Sequence, residues 1–184
     1  MPLIKKLNYT EEPKMAMNLE KEIQKLLDIE EIKQLKYRYG DMCDSNHDWT
    51  QIPELFAPDA EWVGSPDDPW GSAHGVDEII NLFKGYQKQM DGRPHEGVLG
   101  HNIMAPQIHV NDDGVTATGK WHLFGAFRMY EGREETGSKS FLEQGKYEDE
   151  YVKLNGRWYI KKLHFVDTLV AAPQDGWDDK IIQW

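Results

Sequence analysis

The chain has 184 residues, with 32 Asp and Glu against 21 Lys and Arg, for a formal net charge of −11. That length makes one domain able to bury a substantial core, and the acidic balance argues against nucleic acid and anionic membrane surfaces as partners. No apolar run approaches the roughly 18 residues of a membrane-spanning helix, the N-terminus lacks an apolar signal core, and the lone Cys43 excludes an intrachain disulfide. A cytoplasmic protein is expected, with Cys43 a small buried filler rather than a nucleophile.

Residues 1–17 carry mixed charge, Pro13 and no sustained period, and read as an N-terminal arm. Asn18 is a plausible N-cap for a helix begun by Leu19, Ile23, Leu26 and Leu27. Asp28-Ile-Glu-Glu31 resembles a capping box, so a break or bend is expected there. Ile32, Leu35, Tyr39 and Met42 then recur at steps of three and four, one face of an amphipathic helix that runs out at Asp44. A carboxylate at that end faces the negative pole of the macrodipole and needs a compensating partner. Trp49 to Phe56 reads as a short helix capped by Asp48 and ended by Pro58, followed by a short strand Ala60–Val63 and a loop from Ser65 to Gly71. The next helix runs from Gly75 to Tyr86, with Ile79, Ile80, Leu82, Phe83 and Tyr86 as its apolar stripe, and Asp91 to Pro94 closes it.

Beyond this point the period changes from 3.6 to 2. Strands are predicted over Val98–Val110, Val115–Tyr130, Phe141–Leu154 and Arg157 to about Leu169, with turns at Asn111–Gly114 and at Asn155-Gly156, a type I′ hairpin signal. Helices followed by a long antiparallel meander make an α+β fold. The odd-numbered positions from Val115 to Met129 are apolar with two glycines, which suits a bent sheet wrapping one pocket. The domain is placed at residues 18–170. The tail 171–184, with Trp177, Ile181 and Trp184, is expected to cover a subunit contact or the pocket mouth.

There is no Gly-rich phosphate loop, no zinc-type His-Glu-x-x-His and no nucleophile elbow. The seven histidines do not fall at metal-ligand spacing, and neither metal nor organic cofactor is expected. A simpler site pairs one histidine with Asp44, since a carboxylate that orients an imidazole makes a usable base near neutral pH. His101 follows the small residues of Gly97-Val-Leu-Gly100, while His109, His122 and His164 lie in strand interiors and could face either way. The residues alone leave that choice open.

The order of helix, Tyr39-x-x-x-x-Asp44, short helix, Ala57-Pro-Asp-Ala-Glu-Trp62, helix, Gly100-His101 and four long strands resembles the SnoaL-like branch of the nuclear transport factor 2-like superfamily, over roughly Leu19 to Leu169. Within that branch Ile29–Tyr39, Gly100-His101, Thr116–Trp121 and Tyr147–Ile160 are most similar to bile-acid 7α-dehydratase, with scytalone dehydratase and hexachlorocyclohexane dehydrochlorinase similar in plan. The resemblance implies a cone in which a curved antiparallel sheet and N-terminal helices enclose one pocket. It also implies an Asp–His pair that removes a proton and expels a leaving group without a cofactor. The family aspartate falls on Asp44, its histidine on His101 and the dehydratase tyrosine on Tyr39. The bile-acid enzyme's arginine position is Asp167 here, and the second histidine of scytalone dehydratase falls near Phe127, so no substrate-anchoring base is evident.

The reading that follows is a lyase of the dehydratase type acting on an apolar cyclic or polycyclic hydroxy or carbonyl compound. Asp44, His101 and Tyr39 would be catalytic, and Trp62, Trp121, Phe127, Phe141, Phe165 and Asp167 would line the pocket. The same resemblance admits a ketosteroid-type isomerase or polyketide cyclase, or a non-catalytic ligand-binding or oxygenase-type structural subunit. It implies a homotrimer, or alternatively a homodimer, with a small apolar substrate as the other partner.

Overall fold

The computed structural model describes residues 19–64, 71–90, 100–130 and 138–171. Its longest element is helix α1, Leu19–Asp44, which buries Ile32, Leu35, Tyr39 and Met42, the stripe that the sequence periodicity marks. The helix is continuous through Asp28, contrary to the expected break. Asp28 is buried rather than capping: its carboxylate accepts hydrogen bonds from Lys153 Nζ, from Trp158 Nε1 at 3.1 Å and from Gln24 Nε2 at 3.1 Å. Although burial pushes the Asp28 pKa up, those hydrogen bonds and the Lys153 charge hold it below the usual carboxylate value.

After α1, a 3-10 turn at Trp49–Gln51 is capped by the Asp48 side chain, as expected, and leads into α2, Ile52–Leu55. Strand β1 runs Phe56–Val63, so Pro58 lies inside a strand and not at the end of a helix. It falls where the pairing register shifts between Phe56 and Glu61, a place that tolerates the missing N–H. A short strand β2, Ser72–His74, comes before helix α3, Val76–Met90. The remaining strands are β3 (Asn102–Val110), β4 (Thr116–Tyr130), β5 (Ser138–Leu154) and β6 (Arg157–Ala171). Asn155 and Gly156 both have positive φ, the I′ geometry that their sequence signals.

The strands form one six-stranded sheet in the order β2-β1-β6-β5-β4-β3. All neighbours are antiparallel except β1 and β6, so the sheet is mixed where a purely antiparallel one was expected. The inner face of β4 is the predicted odd one: Ala117, Trp121, Leu123 and Phe127 are buried, and Val115 is exposed just ahead of the strand. Together with α1, α2 and α3 this makes an α+β fold with one hydrophobic core between helices and sheet. Among the described residues no helix is long and apolar enough to cross a membrane. The expected arm, the Asn18 cap, most of the Ser65–Gly71 loop, the Asp91–Pro94 closure and nearly all of the tail, with Trp177, Ile181 and Trp184, lie outside the described residues.

Candidate active site

The site is built where α1 ends. Ser45 N–H donates to Asp41 O at 2.9 Å, and then Asn46 and His47 both adopt the left-handed conformation, with φ of 60° and 52°. Asn and His are among the side chains that tolerate this region. The two residues turn the chain back, so that His47 N–H donates to Cys43 O at 3.0 Å and Asp48 N–H to Met42 O at 3.2 Å. Gly40 sets the other wall. A Cβ there would stand 3.2 Å from Ile103 Cδ1 and 3.6 Å from His101 O, so glycine lets the start of β3 lie close against α1.

That approach brings Asp44 and His101 together. His101 Nδ1 lies 2.6 Å from Asp44 Oδ1, and the His101 backbone N–H donates to the same carboxylate at 3.1 and 3.2 Å. An ionised carboxylate only accepts, so the ring proton sits on Nδ1 and the Nε2 lone pair is left available. The unfavourable charge at the helix end thus has its partner. The His101 side chain is 12% exposed and that of Asp44 34%, so the imidazole is mostly enclosed while the carboxylate retains contact with solvent.

Around the dyad the residues divide into two groups. The ring of Phe127 meets that of His101 edge-on at 4.9 Å and stacks on Phe141 at 5.3 Å. Phe127 lies across Gly125, where a Cβ would fall 2.2 Å from the phenyl ring and 2.6 Å from Gly100 O. His47 packs edge-on to His101 at 6.2 Å, and against Phe83 and Tyr86 at 5.8 and 5.4 Å. Burial, with His101 beside it, pushes the His47 imidazole down to about 4, so it is neutral at physiological pH. Tyr39 is buried deeper, edge-on to Phe56, Phe83 and Tyr147, and its hydroxyl accepts a 3.3 Å hydrogen bond from Trp62 Nε1. Burial and its hydrogen-bonded neighbour Cys43 raise the Tyr39 phenol well above its ordinary value, so it stays protonated.

The second group lies around Tyr147. Phe165 packs on that ring at 4.7 Å, and half-buried Asp167 pairs with Gly145 across the β5–β6 ladder. Beneath it, Lys36 is fully buried with Asp149, Nζ to Oδ2 at 2.8 Å, and lies 3.5 Å from the Tyr147 ring centroid. The contact is an ion pair outside hydrogen-bond alignment, and Asp149 Oδ1 has no hydrogen-bond partner among the described residues. Burial pushes the Lys36 pKa down and the Asp149 pKa up, and each charge opposes the other's shift. Tyr151 donates to Asp149 at 2.7 Å and accepts from Trp121 Nε1 at 3.0 Å. Trp121 belongs to this network, six residues along β4 from Phe127 and hence about 20 Å away at the usual strand rise.

Two residues of these groups carry no such sequence expectation. Lys36 is four residues after Ile32 and three before Tyr39, on the buried face of α1, where its charge argued for exposure. His47 is brought to His101 only by the two left-handed residues, which no periodicity announces.

Residues 24–164 match the SnoaL-like domain family. Among solved structures, the fold is similar to that of a candidate scytalone dehydratase from Novosphingobium aromaticivorans, at 19% identity over 81% of this chain and 89% of that one, with a TM-score of 0.65. It is also similar to a hexachlorocyclohexane dehydrochlorinase from Novosphingobium barchaimii, at 16% identity over 82% and 93%, with a TM-score of 0.66. An NTF2-like protein with a cystatin-like fold from Novosphingobium aromaticivorans matches at 20% identity over 85% and 92%, with a TM-score of 0.60. By its helices, its curved mixed sheet and this match over most of its length, the chain belongs to the SnoaL-like family.

Proposed function

We propose that this protein is a cofactor-independent lyase that removes a proton from a carbon of an apolar cyclic substrate and expels a leaving group from the neighbouring carbon. The observation that carries the reading is the 2.6 Å contact between His101 Nδ1 and Asp44 Oδ1. The contact supports this reading: with Nδ1 engaged, Nε2 is free to act as the base, and the carboxylate stands beside the imidazolium charge that would develop. In the elimination, His101 Nε2 takes the proton, the C–H electron pair becomes the new C=C bond, and the leaving oxygen departs with the C–O pair. Protonation of that oxygen yields water. Tyr39, held neutral, is the proposed donor to a carbonyl or to the departing oxygen. Phe127 and Phe141 offer apolar ring surface beside the base, and Trp62 holds the Tyr39 hydroxyl.

Relatives named for dehydration and dehydrochlorination support elimination over isomerisation, and the enclosed imidazole supports catalysis over simple ligand binding. A panel of cyclic β-hydroxy ketones incubated with the purified protein, followed by mass spectrometry, tests the reaction class. Elimination gives a product lighter by one water. A product of unchanged mass would replace this reading with isomerisation.

A further inference from the structure

Three groups able to bind a metal converge at the end of α1. Cys43, His47 and His101 each offer one ligand atom, and these atoms lie within 4.8 Å of one another. Cys43 and His47 are four residues apart across the left-handed turn, and the backbone bond from His47 N to Cys43 O fixes that return. His47 Nδ1 is buried and has no hydrogen-bond partner among the described residues. A buried polar atom without a partner costs free energy unless something else satisfies it. His101 adds a third donor, because Asp44 holds its proton on Nδ1 and leaves the Nε2 lone pair open. A carboxylate behind a histidine is the arrangement that orients imidazoles toward metals.

We propose that Cys43, His47 and His101 form a binding site for a borderline divalent cation of the Zn2+ class, with Asp44 as the carboxylate behind His101 and a fourth position open to water. One thiolate and two imidazoles are a donor set suited to zinc, whose bonds of about 2.0–2.3 Å require ligand atoms roughly 3.5 Å apart. The present spacing, within 4.8 Å, must therefore close by about 1 Å on ligation. Binding replaces the Cys43 S–H bond with an S–Zn bond and releases one proton to solvent, with no change of oxidation state. The ion occupies the lone pair that His101 needs as a base, so it inhibits proton abstraction reversibly. That last consequence rests on the proposed lyase reading, whereas the binding does not.

The test uses the full chain, freed of metal with a chelator and without substrate, titrated with Co2+ and then displaced with Zn2+. One ion per chain is expected, with a thiolate-to-cobalt charge-transfer band that disappears on Zn2+ addition and is absent from Cys43→Ser. His47→Asn, which tolerates the left-handed backbone, should weaken binding by more than the roughly 10–100-fold expected for loss of the supporting carboxylate in Asp44→Asn. A missing charge-transfer band in the folded wild type, or binding unchanged in His47→Asn, overturns the site. Turnover measured with and without Zn2+ separates the two readings. A cobalt band in a protein without lyase activity refutes the lyase alone, and activity indifferent to saturating Zn2+ refutes the inhibition.

Discussion

Asp44 holds His101 by two different parts of the residue, its ring Nδ1 at 2.6 Å and its backbone N–H at 3.1 and 3.2 Å. The backbone contacts fix where β3 begins relative to the end of α1, and the ring contact fixes the tautomer. The two roles separate on mutation. Asp44→Asn can still accept from the backbone N–H but no longer opposes the imidazolium charge. Turnover in this variant should fall by about 10²–10⁴-fold with a melting temperature close to wild type. Far-ultraviolet circular dichroism alongside the assay checks that the fold is kept.

Lys36 and Asp149 are both fully buried and rely on each other. Lys36→Ala leaves the carboxylate uncompensated in the core and should cost about 3–5 kcal/mol. The double variant Lys36→Met/Asp149→Leu removes both charges and should recover most of that loss, as replacement of buried pairs by apolar groups often does. Urea unfolding midpoints of the three proteins check the ordering. Equal destabilisation of single and double variants would show that the pair is not what the core depends on.

Asp28 should govern part of the acid limb of stability. Its folded pKa is depressed by the Lys153, Trp158 and Gln24 hydrogen bonds, which outweigh its burial. Its contribution is therefore fully present above the unfolded value of about 3.9 and is lost as pH falls through the folded value. The stability gap between wild type and Asp28→Asn should be widest near neutral pH and shrink below about pH 4. Denaturant titrations at several pH values measure it.

Gly125→Ala should disturb the site from outside it. The added methyl meets the Phe127 ring and the Gly100 carbonyl, and the backbone atom has little room to yield. Overpacking of this kind costs about 1–3 kcal/mol, and moving Phe127 off His101 should lower turnover as well. A thermal melt together with an assay checks both effects.

The sequence showed much of this arrangement where the physics is local. The second half of α1, the apolar odd face of β4 and the Asn155-Gly156 hairpin all follow from short-range periodicity or turn chemistry. Asp44 also stood out, as a charge at the wrong end of a helix. What could not be read depends on distant partners. Asp28 looked like a cap because Lys153 and Trp158, which bury it, come from the far end of the chain. The parallel pairing of β1 with β6 joins residues about a hundred positions apart, with a proline between that argued for a break. The choice of His101 over the other histidines came from the family resemblance and not from its spacing, and His47 needed two left-handed residues that only the folded backbone displays.

The central claim is that His101 is the base and that Asp44 makes it one. The most direct measurement compares wild type with His101→Gln on a cyclic β-hydroxy ketone that the wild type dehydrates, following loss of the carbon-bound proton. The account predicts a fall of about 10²–10⁴-fold in proton removal in a variant that keeps its fold. Proton loss at the wild-type rate in His101→Gln would contradict it.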